Sequence, residues 1–153
     1  MVNIGHVAQF FAVFCSSVFS GAAVYINLVE HPARMACGTL IAASEFAPSY
    51  KRAAVMQASL AALGFVASVQ SWLAGASVWW LIGGILLGSV IPFTFIFIMP
   101  TNKELLDPSL DKGSDKAREL LSRWGHLHAV RSVLGTAALL IFLCCLFIPG
   151  CAR

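Results

Sequence analysis

The chain predicts an all-α fold, a four-helix transmembrane bundle with a short amphipathic helix before the fourth span, on three observations. Hydrophobic residues make up 59% of its 153 residues and charged residues 11%, against about 25% charged in a soluble domain. The apolar residues gather into four runs, about 7–29, 54–74, 78–99 and 126–148, each near the ~20 residues with which a helix crosses a bilayer. No run alternates with the two-residue period of a barrel strand. Lipid offers backbone polar groups no solvent partner, so helix is the required conformation and residues 1–153 read as one membrane domain.

The first run follows an N-terminus without Lys or Arg and is longer than a leader-peptide core, so it reads as a retained span. Leu73 to Ser77 is short and uncharged, which joins the second and third spans as a hairpin. Trp72, Trp79 and Trp80 beside it read as an interfacial aromatic belt. Gln57, Ala61, Gly64 and Ser68 recur at helical spacing in the second span, as do Gly84 and Gly88, with Gly83 beside them, in the third; such rows let helices approach closely. Pro92 lacks a backbone donor and displaces the carbonyl of Gly88, which predicts a local opening of the third helix. After the turn chemistry of DPSLDKGSD, Ser114 or Asp115 can cap a helix. Ala117, Leu120, Leu121, Trp124, His128 and Arg131 then recur at three- and four-residue steps, the amphipathic stretch that feeds the fourth span.

The charges are few and placed. Arg34, Lys51 and Arg52 lie in the first long connection and Lys103, Lys112, Lys116, Arg118 and Arg123 in the last, against Arg153 alone on the other side. The positive-inside rule puts both long connections in the cytoplasm and both termini opposite. A net charge of +3 so distributed gives no basic stripe for nucleic acid. Cys15, Cys37, Cys144, Cys145 and Cys151 show no C-x-x-C spacing and read as small buried hydrophobes.

Polar side chains meanwhile collect at one depth. Asn27, Glu30 and Arg34 fall on one helical face; Tyr50, Arg52 and Gln57 open the second helix; Asn102 ends the third; Trp124, His128 and Arg131 share a face of the fourth. Together they predict a polar pocket at the cytoplasmic end. Arg34, Lys51 and Arg123 fit snorkelling to headgroups, whereas Arg131 lies more than a turn inside and needs a partner, for which Glu30 is the expected counter-charge. His126 and His128 leave a helix on nearly opposite sides, so no metal is expected, and Glu30, His31 and His128 are the only mixed ligand set on offer. No phosphate loop, nucleophile elbow or dinucleotide fingerprint occurs.

At IPFTFIFIMPTNKELL (residues 91–106) and LLSRWGHLHAVRSVLG (residues 120–135) the sequence resembles the anthrone oxygenase family of small four-span membrane proteins. The resemblance rests on Pro92, Phe93, Thr94, Pro100, Thr101, Asn102, Leu105, Trp124, His128 and Arg131. The stretches NLVEHPARM and FAPSYKRAAVMQA of the first half are less similar to the family's polyketide-pathway enzymes. The resemblance implies a monooxygenase that oxidises an anthrone-like phenolic substrate with dioxygen and no cofactor. Such chemistry needs a base, a positive group and an apolar slot, and set against the predicted pocket it makes His128 the expected base, Arg131 the oxyanion stabiliser and Glu30 the group orienting one of them. Asn102, Tyr50, Asn27 and Gln57 are then polar contacts to substrate, with Trp124 and Phe93 lining the slot. The competing expectation is a non-enzymatic protein that holds a lipid or quinone-like ligand. Either way the partners are the bilayer and a small apolar aromatic molecule or lipid.

Overall fold

The computed structural model describes residues 4–148; Pro149, Cys151 and Arg153 lie outside the described residues, and with Arg153 the one charge expected on the far side. Among the described residues four helices are long and apolar enough to cross a membrane: α1 (Ile4–Ala36), α2 (Thr39–Leu73), α3 (Val78–Leu105) and α4 (Asp115–Phe147). Each packs on its chain neighbours and α1 closes on α4, an up-and-down bundle. The chain is an integral membrane protein by the length and apolarity of these helices.

All four helices outrun the apolar runs that announce them. At 1.5 Å per residue the 35 residues of α2 extend about 52 Å, well past a hydrocarbon core of about 30 Å. The predicted first long connection shrinks to Cys37 and Gly38, the latter at φ 91°, and Arg34, Lys51 and Arg52 are helical. Hydropathy marks only what lipid touches. The remainder is held by a second core outside the apolar layer, where Phe46, Leu105, Leu120, Leu121 and Trp124 meet. Pro48 reads as a breaker but sits inside α2, where the carbonyl that its ring displaces is that of exposed Ser44. The amphipathic stretch runs straight into the fourth span, as expected. It is the first part of α4, capped by Ser114 Oγ, which accepts from the Ala117 amide at 3.2 Å. In the preceding turn Asp107 accepts from the Ser109 amide and hydroxyl, and these bonds lower its pKa.

The hairpin between α2 and α3 is as expected, with Gly75 at φ 94° and Ser77 capping α3. Trp72 and Trp79 are 40% and 44% exposed, as a belt requires, but Trp80 is 1% exposed and stacks on Phe142 at 5.2 Å. The belt therefore lacks one of its expected members, because α3 turns that ring toward α4. The small-residue rows meet as predicted: Gly84 lies on Ser68, and a Cβ on Gly83 would come within 2.6 Å of the Phe142 ring.

Two helices widen at the same end of the bundle. In α1 the turn Ile26–Glu30 is π-helical, the His31 amide bonding to the Ile26 carbonyl; in α3 the turn Thr94–Ile98 is π-helical, the Met99 amide bonding to the Thr94 carbonyl. Each stands immediately before an X-Pro pair, His31-Pro32 and Met99-Pro100. A proline ring crowds the carbonyl four residues back, and an i→i+5 turn makes room for it. The opening expected near Pro92 appears two residues later, at Thr94.

Candidate functional site

About twenty residues counted from Leu73 and Val78 bring the far boundary of a bilayer to Ala53 on α2 and Ile98 on α3. A cavity straddles that level. Ile26, Glu30 and Arg34 of α1, Phe46, Ser49, Tyr50 and Gln57 of α2, and Trp124, His128 and Arg131 of α4 line it. Six of the nine site residues read from the sequence therefore meet: Glu30, Tyr50, Gln57, Trp124, His128 and Arg131. Asn27 stands behind them as a partner of His128.

The expected single face of Asn27, Glu30 and Arg34 splits in two. A π turn advances each residue by a smaller angle than an α turn, so Asn27 and His31 face α4 while Glu30 and Arg34 face α2. Asn27 Nδ2 donates to the Gly125 carbonyl at 3.1 Å. A carbonyl can only accept, which fixes the amide orientation and leaves Asn27 Oδ1 toward His128 Nδ1, 2.8 Å away, and toward the Ser132 hydroxyl. Oδ1 can only accept, so His128 carries its hydrogen on Nδ1 and keeps Nε2 as the free lone pair when neutral. The ring is 1% exposed and stacks on Trp124 at 4.8 Å. Trp124 in turn meets Phe46 edge-on at 5.4 Å, and Phe46 stacks on Tyr50 at 5.6 Å. His31 takes the other side of Trp124 at 5.4 Å, close against Gly125, where any Cβ would come within 2.6 Å of its Nε2.

The expected pair of Glu30 with Arg131 is not formed. Glu30 pairs with Arg34 instead, one helical turn away, and the same guanidinium reaches Glu45 and Ser49 of α2. Arg34 does not snorkel: it is 8% exposed and ties α1 to α2. Lys51 and Arg123 are exposed, as snorkelling requires. Arg131 Nη2 donates to Gln57 Oε1 at 2.8 Å, its guanidinium lies 5.7 Å from the Phe19 ring centre, and its Nε has no partner. Among the described residues no carboxylate lies within ion-pair distance of it. A buried cation is thus left with a neutral amide and a ring face, which favours an anion in the cavity beside it.

Two expected residues stand elsewhere. Phe93 packs on Phe97 at 5.0 Å, and Asn102, 0% exposed, leaves both amide atoms unpartnered; neither lines the cavity. The helix that carries them turns the Asn102 side into the second core. Nor do Glu30, His31 and His128 converge, and among the described residues no three His, Cys, Asp or Glu side chains do. Arg34, Glu45, Ser49 and Ser132 complete the site. The i,i+4 spacings Glu30–Arg34 and His128–Ser132 were the sequence signals for two of them; nothing local marked Glu45 and Ser49.

With this geometry stand the comparisons with known proteins. A family profile described as anthrone oxygenase matches residues 46–141. Anthrone oxygenase tpcL of Aspergillus fumigatus is 28% identical over 137 residues, an alignment that covers 83% of this chain and 85% of that protein. No solved structure matches. The matched stretch carries Phe46, Tyr50, Gln57, Trp124, His128 and Arg131 and leaves out Asn27, Glu30 and Arg34.

Proposed function

The chain belongs to the anthrone oxygenase family, and from that premise we propose that it oxidises the activated ring carbon of an anthrone-like phenol to a quinone carbonyl with dioxygen. The observation that carries this reading is the pairing, in one cavity, of an unneutralised guanidinium with a histidine whose Nδ1 is committed to Asn27. The first step needs a base, and His128 Nε2 takes a proton from the ring CH₂. The charge left behind delocalises onto the ring oxygen, where Arg131 stabilises it.

That carbanion is itself a reductant. It adds dioxygen to give a carbon-bound peroxide anion, which recovers the proton from His128. Loss of the remaining C–H proton to the base then forms the carbonyl as the O–O bond breaks. The departing hydroxide and that proton leave as water, so one CH₂ and one O₂ become one C=O and one H₂O. On this reading no organic cofactor is required, because the substrate supplies all the electrons. Tyr50 is placed to bond a substrate oxygen, and Trp124 to cover a ring face. Glu30 acts one step removed, by holding Arg34 against α2. The clustering of Lys51, Arg52, Lys103, Lys112, Lys116, Arg118 and Arg123 at this end supports a cytoplasmic placement for it.

The test is oxygen uptake by the purified protein in lipid nanodiscs with an anthrone, run with heavy-isotope dioxygen. Equal consumption of dioxygen and formation of quinone, with one labelled oxygen atom in the product, is the expected result. A rate no faster than protein-free nanodiscs would refute it. A second reading, a non-enzymatic protein that holds a lipid or quinone, draws on the same unpaired Arg131 at the bilayer boundary, where an anionic headgroup also fits. Ligand-induced thermal stabilisation without oxygen uptake would select it.

A further inference from the structure

The cavity around His128 is too narrow for the ligand that its chemistry invites. Its volume is about 20 Å³, room for about one water. A fused ring system is several times larger. On the other side of Tyr50, Ala54 and Arg131, which line both spaces, lies a second cavity between α2 and α3. Its volume is about 100 Å³.

This second space is apolar and faces the bilayer. Ala54 and Ala58 form its α2 wall, and Val90, Ile91, Phe95 and Met99 its α3 wall. Ala58 is exposed and Phe95 is 64% exposed on the lipid side. Its shape follows from the sequence. Two alanines remove bulk from α2, and the π turn that starts at Thr94 sets Met99, five residues on, above it as part of the wall. Among the described residues that line it, beside the hydroxyls of Tyr50 and Thr94, the one charged group is Arg131, with Nε unpartnered at 8% exposure. An acyl chain alone would fill the walls but leave that guanidinium unsatisfied, and a phosphate headgroup would have to leave the polar layer and pass the apolar walls to reach it. A flat apolar body bearing one ionisable oxygen satisfies both.

We propose that the cavity between α2 and α3 is the ring-binding half of the site, and that a fused-ring phenol slides into it sideways from the acyl-chain layer, its ionised oxygen on Arg131 and its reactive edge toward His128. The ligand class rests on the oxygenase reading; the subsite and the route do not. Tyr50, between the two spaces, is the side chain that must yield for the rings to reach His128.

The probe is a dihydroxyanthraquinone, whose visible band moves to longer wavelength when its phenol ionises, titrated into wild-type protein in phosphatidylcholine nanodiscs. Ala58→Trp closes the slot from α2 and Ile91→Trp from α3. Each should weaken binding by about tenfold or more, with Ala58→Leu between wild type and Ala58→Trp, so that a graded series stands even if one tryptophan variant misfolds. Val66→Trp, at a 52% exposed site in a different hollow on α2, should bind as wild type does. Arg131→Gln should bind the dye without the long-wavelength band. Wild-type affinity in both tryptophan variants overturns the subsite, as does loss of bound phospholipid from Ala58→Trp without loss of dye affinity. Failure of the wild type to bind dye overturns it too. Oxygen uptake is scored separately: slot-dependent dye binding without uptake removes the oxygenase reading alone, and uptake that Ala58→Trp does not slow removes the slot alone.

Discussion

Around Trp80 the four helices come together on small residues: Gly64 lies under Leu87, Gly84 on Ser68 and Gly83 against the Phe142 ring. Around His128 three of these helices are joined mainly by side chains that bond across the gap, Asn27 to Gly125 and His128, Arg131 to Gln57, and Arg34 to Glu45. In lipid there is no hydrophobic gain from bringing two helices together, so close approach and hydrogen bonding are the two sources of association left. One half of this bundle uses the first and the other half the second. The consequence is a division of labour. Close approach brings backbones together, whereas the polar scaffold orients side chains around a cavity.

The two halves should therefore fail differently. The largest expected effect is on chemistry alone: His128→Ala removes the base and should slow oxygen uptake with an anthrone by about 10²–10⁴-fold, while the far end keeps its helices packed and the melting midpoint in detergent moves only slightly. Next, Arg131→Gln keeps a donor for Gln57 but loses the charge, for a loss of about 10²–10³-fold; turnover near wild type in both variants would mean that the polar half is only scaffold. At the other end Gly84→Leu drives a side chain into Ser68 and should cost about 1–3 kcal/mol or more of stability. The turnover per folded molecule should be unchanged, and a rate that falls with the fold intact would show that the halves are coupled. Asn27→Leu frees the His128 tautomer and should slow turnover about tenfold, with the pH profile altered rather than the affinity. The smallest effect is expected at Asn102→Leu. An amide with two unpartnered atoms loses nothing when it becomes apolar, so a stability gain of up to about 1 kcal/mol with unchanged KM is expected; a raised KM would bring Asn102 back into the site.

Much of this was legible in the chain. Apolar runs gave the four helices, the period of Gln57, Ala61, Gly64 and Ser68 gave a packing face, and Trp124, His128 and Arg131 gave the face of α4 that lines the cavity. What misled was local too. The charges Arg34, Lys51 and Arg52 look like a loop, yet all three are helical and only Cys37 and Gly38 part them, because Phe46 and Ala42 have a second core to enter. Trp80 looks like its neighbour Trp79, and only the rotation of α3 sends one ring inward and the other to the surface.

By itself the sequence determined that polar groups of four membrane helices gather at one end, since hydropathy and helical period are properties of single segments. Which of them touch was decided by the tertiary structure. The π turn in α1 leaves Asn27 toward His128 and Glu30 on the side of α2, where Arg34 pairs with it, so Arg131 has no counter-ion among the described residues. The proline after the turn explains why it is wide, but which side chains then meet depends on what the neighbouring helices present across the gap.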